Sequence, residues 1–222
     1  MDQVDELHLT HASPDFDAAF REQLHALLAW RRDVRRFRRE ALPPGTIERL
    51  IGIACLSPSV GLSEPWRFVI VDDQRCRAAI RACFEVCNED ALERQEPDRA
   101  SLYARLKLSG LDDAPCQIAV FADRTTAQGH GLGRLTMPAT LDYSVAIAIH
   151  TLWLVARAEG IGVGWVSILD PARIAEILEV PKDWTFIGHL CIGYPEEEHV
   201  IPALQRAHWE RRHPAAGTIL YR

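Results

Sequence analysis

The apolar positions of this chain recur with two different periods, and the alternation between them lays out its elements. Between Phe16 and Trp30 the residues Phe16, Phe20, Leu24, Leu27 and Leu28 return at helical spacing. They predict an amphipathic helix with one buried stripe, with Arg31 and Arg32 at or just beyond its end. Pro43 and Pro44 precede TIERLIGIACL, where Ile47, Leu50, Ile51 and Ala54 share a second helical face, and Pro58 is a stop. FVIVDD (68–73) and QIAVFAD (117–123) have the β-branched density of buried strands, with helices expected over 74–95 and 101–109 between them. The segment 139–160 is the most hydrophobic and is apolar on nearly all sides, so it is expected at the centre of the domain or at a subunit interface. Asp142, His150, Arg157 and Glu159 argue against a membrane span there, and Gly160 is a natural C-cap. VGWVSIL (163–169) reads as a strand and FIGHLCIGYP (186–195) as the last strong one. Between them DPARIAEIL is a helix with Asp170 as cap, Pro171 in the first turn, and Ile174, Ile177 and Leu178 as its buried stripe.

With 222 residues, 48% hydrophobic and 25% charged, the chain can bury a substantial core, so one domain over 1–222 is expected. Within it, a leader runs to about residue 15 and a charged arm from about 196 to 222. The arm carries Trp209, Arg211, Arg212, Ile219 and Leu220, and its scattered apolar residues read as anchors onto another surface, such as that of a partner chain. The net charge of -6 argues against a nucleic-acid protein but allows a local basic pocket for a small anion. No secretory signal is visible, which makes a cytoplasmic location the expectation. The six cysteines form no CxxC pair and read as reduced structural thiols; the histidines show no ligand spacing with them, so no metal is expected.

HExxH, GxSxG, a phosphate-binding GxxxxGK[ST] and a strand-linked GxGxxG are missing, and GHGLGR (129–134) reads as a loop or lid. Three stretches carry candidate chemistry. In RRDVRRF (31–37), guanidinium forks at Arg31 and Arg32 suit phosphate oxygens, although a run of arginines is also what a solvated surface looks like. Asp33 among them either orients the arginines or stands where a ligand needs a proton. In SPSVGLSEPWRF (57–68), the prolines stiffen a loop whose Ser57 and Ser59 offer hydroxyls and amides to a flat polar ligand, or which merely joins a helix to a strand. In GVGWVS (162–167), two glycines bring backbone close to something, and Ser167 is expected on the strand with its hydroxyl beside a ring.

Taken in order, RRDVRRF, SPSVGLSEPWRF, ARLKLSGLDDAP (104–115), LDYSVAIAIHTLWLVARAEGIGVGWVSIL and IGHLCIGYP resemble the flavin-binding nitroreductase superfamily. They look most like its 5,6-dimethylbenzimidazole synthase branch, because Asp33 stands where general nitroreductases usually place a serine. The resemblance implies an α+β fold, with a central mixed sheet surrounded by helices, built as an intertwined homodimer with flavin at the interface. It implies that Arg31, Arg32 and Arg35 engage the flavin phosphate and ribityl chain, with Arg212 near the phosphate. Ser57, Pro58 and Ser59 would line the flavin, and Gly164, Trp165 and Val166 would run beside its ring. Asp33 and Ser167 would be the catalytic pair. The implied substrates are reduced FMN, delivered by a separate and transiently bound reductase, and molecular oxygen, with neither metal nor membrane involved. An NAD(P)H-dependent nitroreductase that retains FMN, and a non-catalytic flavin-binding protein, are the alternatives. Glu64 and Arg67 depart from the glutamine and asparagine common in relatives, and are expected to pair with each other.

Overall fold

The computed structural model describes residues 13–213 and 218–220, so most of the leader, and residues 214–217 and 221–222 of the arm, lie outside the described residues. The centre is a sheet of four strands, β1 (Trp66–Ile70), β2 (Cys116–Asp123), β3 (Gly162–Val166) and β4 (Trp184–Gly193), in the order β1-β2-β4-β3. All three neighbouring pairs are antiparallel. The sheet becomes mixed where the chain after the first helix joins it, through a parallel bridge between Asp33 and Val163.

Both faces of the sheet are covered, which explains the uninterrupted apolar run of β2. Ile118, Val120 and Ala122 pack with Leu50 and Ala54 of α2 (Thr46–Ala54) and with Val145, Ile149 and Leu152 of α5 (Thr140–Ala158). Ala119 and Phe121 point the other way, towards Ile80 of α3 (Gln74–Glu93) and Ile174 of α6 (Pro171–Ile177). Alternate residues of a strand face opposite sides, so a strand covered twice has no polar positions to spare. Asp170 caps α6, accepting from the N–H groups of Ala172 and Arg173, and Pro171 occupies the first turn as expected. No described helix is long and apolar enough to cross a membrane.

Several boundaries depart from the sequence expectation for local reasons. β1 stops at Ile70 because Asp73 turns the chain into α3, accepting from the N–H groups of Arg75 and Cys76. The helix expected over 101–109 is α4 (Pro97–Tyr103), started early by a proline in its first turn. β3 ends at Val166, so Ser167 lies past the strand and is exposed.

The largest departure is α1 (Ala18–Trp30), which has no buried residue. Its apolar stripe, expected in the core, faces outwards: Phe16, Phe20, Leu24 and Leu28 are all exposed. Among the described helices and strands only α5 lies against this helix. The inner face of α5 is buried through Leu141, Ala148 and Ala156, while Tyr143 and Ile147 on its other side are exposed. The two helices thus present apolar faces that the described residues do not cover.

One buried polar pair sets an acid limit on the fold. His189 on β4 is fully buried, its Nε2 3.0 Å from Gln117 Oε1, and Gln117 Nε2 donates to the Leu111 carbonyl. Because the amide oxygen faces the ring, Nε2 is assigned the proton. Burial, helped by the charge of Arg77, lowers the His189 pKa to about 3. The unfolded chain takes up a proton below about pH 6.5 and the folded chain does not. The stability contributed by neutral His189 is therefore complete above that pH, and is lost as pH falls towards 3. Between pH 6.5 and 4.5 the loss from His189 should reach about 2–3 kcal/mol, and comparison with a variant separates it from the carboxylates that begin to titrate at the lower end. Urea unfolding should show this slope in the unaltered protein and not in His189→Gln; equal slopes in both would rule it out.

Candidate active site

The site begins with a close approach between two backbones. A Cβ on Gly164 would stand 2.1 Å from the Val34 carbonyl oxygen, and one on Gly162 would stand 2.8 Å from a Val34 methyl. Only glycine at these positions lets residues 33–35 lie against β3, where the Val34 N–H donates to the Val163 carbonyl at 3.0 Å. What the glycines of GVGWVS admit is therefore the chain's own arginine segment.

That contact fixes Asp33. Its Oδ1 accepts from the Trp165 N–H at 2.9 Å, and its Oδ2 pairs with Arg35 Nη2. Arg35 Nη2 also donates to the Trp165 carbonyl at 2.8 Å. The carboxylate side chain keeps 39% of its surface exposed, yet the protein packed around it raises its pKa by desolvation, against the opposing pull of Arg35 and of the Trp165 N–H. Arg35 Nη1 is buried and has no hydrogen-bond partner among the described residues.

The other arginines converge nearby. The Arg31 guanidinium stacks 4.7 Å from the centre of the Trp153 ring, and Trp153 Nε1 donates to the Arg32 carbonyl at 3.0 Å. Arg32 Nε donates to the Val200 carbonyl at 2.8 Å, holding the start of the arm. Burial lowers the pKa of both Arg31 and Arg32, and the charge of Arg212 lowers both further. Arg212 is thus close enough to be felt by two other guanidiniums. Three cations that disfavour one another's charge, with Asp33 supporting that of Arg31, form a place where a negative ligand is stabilised.

Arg32, Asp33 and Arg35 line a cavity of about 340 Å³. Arg105 and Lys107 beyond α4, Glu197 and His199, and Arg206 in α7 (Ala203–Arg206) add to its polar lining. None of these five was singled out from the sequence. The pair of cations in ARLK was the available signal, but only the path of the chain after α4 brings it to the arginine segment.

Ser57, Pro58 and Ser59 lie elsewhere in the chain's own packing. Ser57 is buried and donates to Thr151 on α5 at 2.6 Å, Ser59 accepts from the Glu64 N–H at 3.1 Å, and the neighbouring Val60 N–H donates to Ser144 on α5. The loop 128–134 packs on the residues that follow, 60–63: a Cβ on Gly129 would stand 2.5 Å from the Gly61 carbonyl oxygen, and Gln128 donates to the Leu62 carbonyl at 2.7 Å.

The expected ion pair between Glu64 and Arg67 is not formed. Arg67 pairs with Asp123 at 2.7 Å, because antiparallel pairing of β1 with β2 sets that carboxylate beside it, and meets Glu64 only through the backbone carbonyl at 3.1 Å. The arm also differs from expectation, since Trp209 is anchored on its own chain, against Tyr103 and Arg99, while Ile219 and Leu220 are exposed. All six cysteines are free, and burial pushes the thiols of Cys116 and Cys191 up to about 12, which leaves them protonated and unreactive. Among the described residues no three His, Cys, Asp or Glu side chains are grouped to hold a metal ion.

Comparison with known proteins gives this arrangement its class. The nitroreductase family profile matches residues 28–194, and the chain belongs to that family. Within it, the chain is 55% identical over 201 residues to the 5,6-dimethylbenzimidazole synthase of Rhodospirillum rubrum, covering 90% of this chain and 95% of that protein. It is 46% identical over 200 residues to a 5,6-dimethylbenzimidazole synthase of Rhodobacter capsulatus, covering 90% and 97%. The fold is shared with the crystal structure of an oxidised iodotyrosine deiodinase bound to FMN and 3-iodo-L-tyrosine. That match has a TM-score of 0.67 and 23% identity, over 79% of this chain and 91% of the other.

Proposed function

We propose that this chain is a 5,6-dimethylbenzimidazole synthase, converting reduced FMN and molecular oxygen into 5,6-dimethylbenzimidazole and D-erythrose 4-phosphate. The observation that carries the proposal is Asp33, a carboxylate with a raised pKa, fixed by Trp165 and Arg35 at the edge of a cavity that arginines line. The identity to two synthases over nine-tenths of the chain supports the same activity.

The residues present suit a flavin phosphate. Arg31, Arg32 and Arg212 are the anchor for the phosphate, and the unpartnered Nη1 of Arg35 is a donor for the polar part of the flavin. When bound, reduced FMN supplies the electrons that oxygen takes up and the carbon atoms of both products. The chain's own task is to hold the phosphate far from the reacting end, exclude water and move protons. Asp33 takes and returns the proton, since desolvation brings its neutral form within reach while two contacts keep the carboxyl aimed. Ser167, just past β3, assists from the same side as Trp165. A separate reductase delivers the flavin already reduced, and no metal is called for.

The working unit in this proposal is an intertwined homodimer. Support comes from the uncovered apolar faces of α1 and α5, and from the serine loop: Ser57 bonds to α5 and Ser59 to Glu64, rather than to the arginine segment of their own chain, and Pro58 between them is exposed. A second copy supplies that loop to complete the flavin site.

The phosphate anchor is tested by Arg32→Ala. FMN affinity should fall by at least about tenfold, the scale of one charge-assisted hydrogen bond, while riboflavin, which has no phosphate, is affected much less. Equal losses for the two flavins in a binding titration would withdraw Arg32 from the anchor.

A further inference from the structure

One wall of the cavity is formed by a segment that cannot support itself. Ala203, Leu204, Arg206 and Ala207 belong to the four-residue helix α7 and its end, and α7 has no buried residue. A helix this short has no stability of its own. The chain holds it from outside. His208 adopts the left-handed conformation, φ 58°, and the Trp209 N–H closes back on the Leu204 carbonyl at 2.8 Å, the longer bond of a Schellman turn.

This reversal delivers the Trp209 indole to α4. There the Tyr103 ring meets it edge to face at 6.0 Å, and the Arg99 guanidinium stacks 5.1 Å from its centre. Arg99 Nη1 also donates to the Trp209 carbonyl at 3.0 Å. Tyr103 is itself fixed, being buried with its hydroxyl donating to Asn88 on α3 at 3.0 Å. The contact therefore ties the arm to the same stretch of chain that continues into Arg105 and Lys107 on the cavity. Arg206 lies just before the turn and Arg212 just after it.

We propose that Trp209, held between Tyr103 and Arg99, is the positioning residue that sets Arg206 and Arg212 against the arginine segment, and so makes the site prefer a phosphorylated flavin to riboflavin. This rests on the reading of the arginine cluster as the phosphate anchor. Trp209 does not touch the ligand. It acts by removing the freedom of the arm before the phosphate arrives, so that the affinity gained from the arm's cations is not spent on ordering it. Arg212, felt by both Arg31 and Arg32, is the residue through which most of the effect passes.

The test is a set of binding titrations with oxidised FMN and with riboflavin, on the unaltered full chain and on Trp209→Ala, Arg212→Ala and the double variant. Trp209→Ala should weaken FMN by about tenfold and riboflavin by less than about twofold. If the indole works through Arg212, the double variant should bind FMN no more than about twofold worse than Arg212→Ala alone. An unchanged FMN affinity in Trp209→Ala, equal losses for both flavins, or fully additive losses in the double variant would each overturn the proposal. Should Trp209→Ala lower the melting temperature markedly, Arg99→Gln, an exposed change, must still show the selective loss of FMN; an intact preference there overturns it as well. An unaltered protein that binds both flavins equally would instead remove the phosphate anchor, and this inference with it.

Discussion

Asp33→Asn should leave FMN binding within about threefold and lower the rate of 5,6-dimethylbenzimidazole formation by roughly 10²–10⁴, the range that a positioned proton-transfer group contributes, so that little product forms in a single turnover. Asparagine keeps the size of the side chain and an oxygen able to accept from the Trp165 N–H. It cannot take up a proton, and it loses the ion pair with Arg35. The variant thus separates two roles that the geometry combines. If Asp33 served only to aim Arg35, losing the pair would appear as weaker binding, with the bound fraction still converted. A single-turnover measurement at saturating reduced FMN distinguishes them, and an undiminished yield from the variant would reject the proton-transfer role.

The second large effect concerns assembly. The unaltered protein should scatter light as a dimer of about twice its 25.0 kDa chain mass. Phe20→Asp combined with Leu24→Asp should give a monomer that no longer retains FMN. Both residues are exposed on α1, so the change costs the single chain little. In a pair of chains each side chain would be worth about 1.5–3 kcal/mol if fully covered, and two charges per copy would have to be desolvated in their place. Loss of FMN should accompany loss of the dimer if, as proposed, the other copy supplies Ser57, Pro58 and Ser59 to the site. A monomeric variant that binds FMN as tightly as the unaltered protein would refute the shared site.

Much of the fold was legible because local rules settled it. The apolar run of β2, the cap and proline that open α6, and the shared face of α2 follow from period and capping chemistry alone. The stripe of α1 was also legible, but not where it would be covered: helical spacing reports that a face avoids water, not whether the same chain or another supplies the cover.

The site divides in the same way. Arg31, Arg32, Asp33, Arg35 and Gly164 stood out because unusual residue types sit close together in sequence, and the structure brings them together through the Val34 contact with β3. Arg105, Glu197, His199 and Arg206 are ordinary surface residues until the Trp209 contact joins the arm to α4 and Arg32 holds the chain at Val200, which brings their segments onto one cavity. Arg67 pairs with Asp123 rather than Glu64 for a similar reason. The partner is chosen by strand register, which spacing within one segment does not reveal.

The most direct test gives the purified protein chemically reduced FMN under anaerobic conditions, admits air, and follows 5,6-dimethylbenzimidazole and D-erythrose 4-phosphate by chromatography. The account predicts that both products appear as FMN is consumed, without NADH in the mixture. Recovery of intact oxidised FMN with no benzimidazole would contradict it.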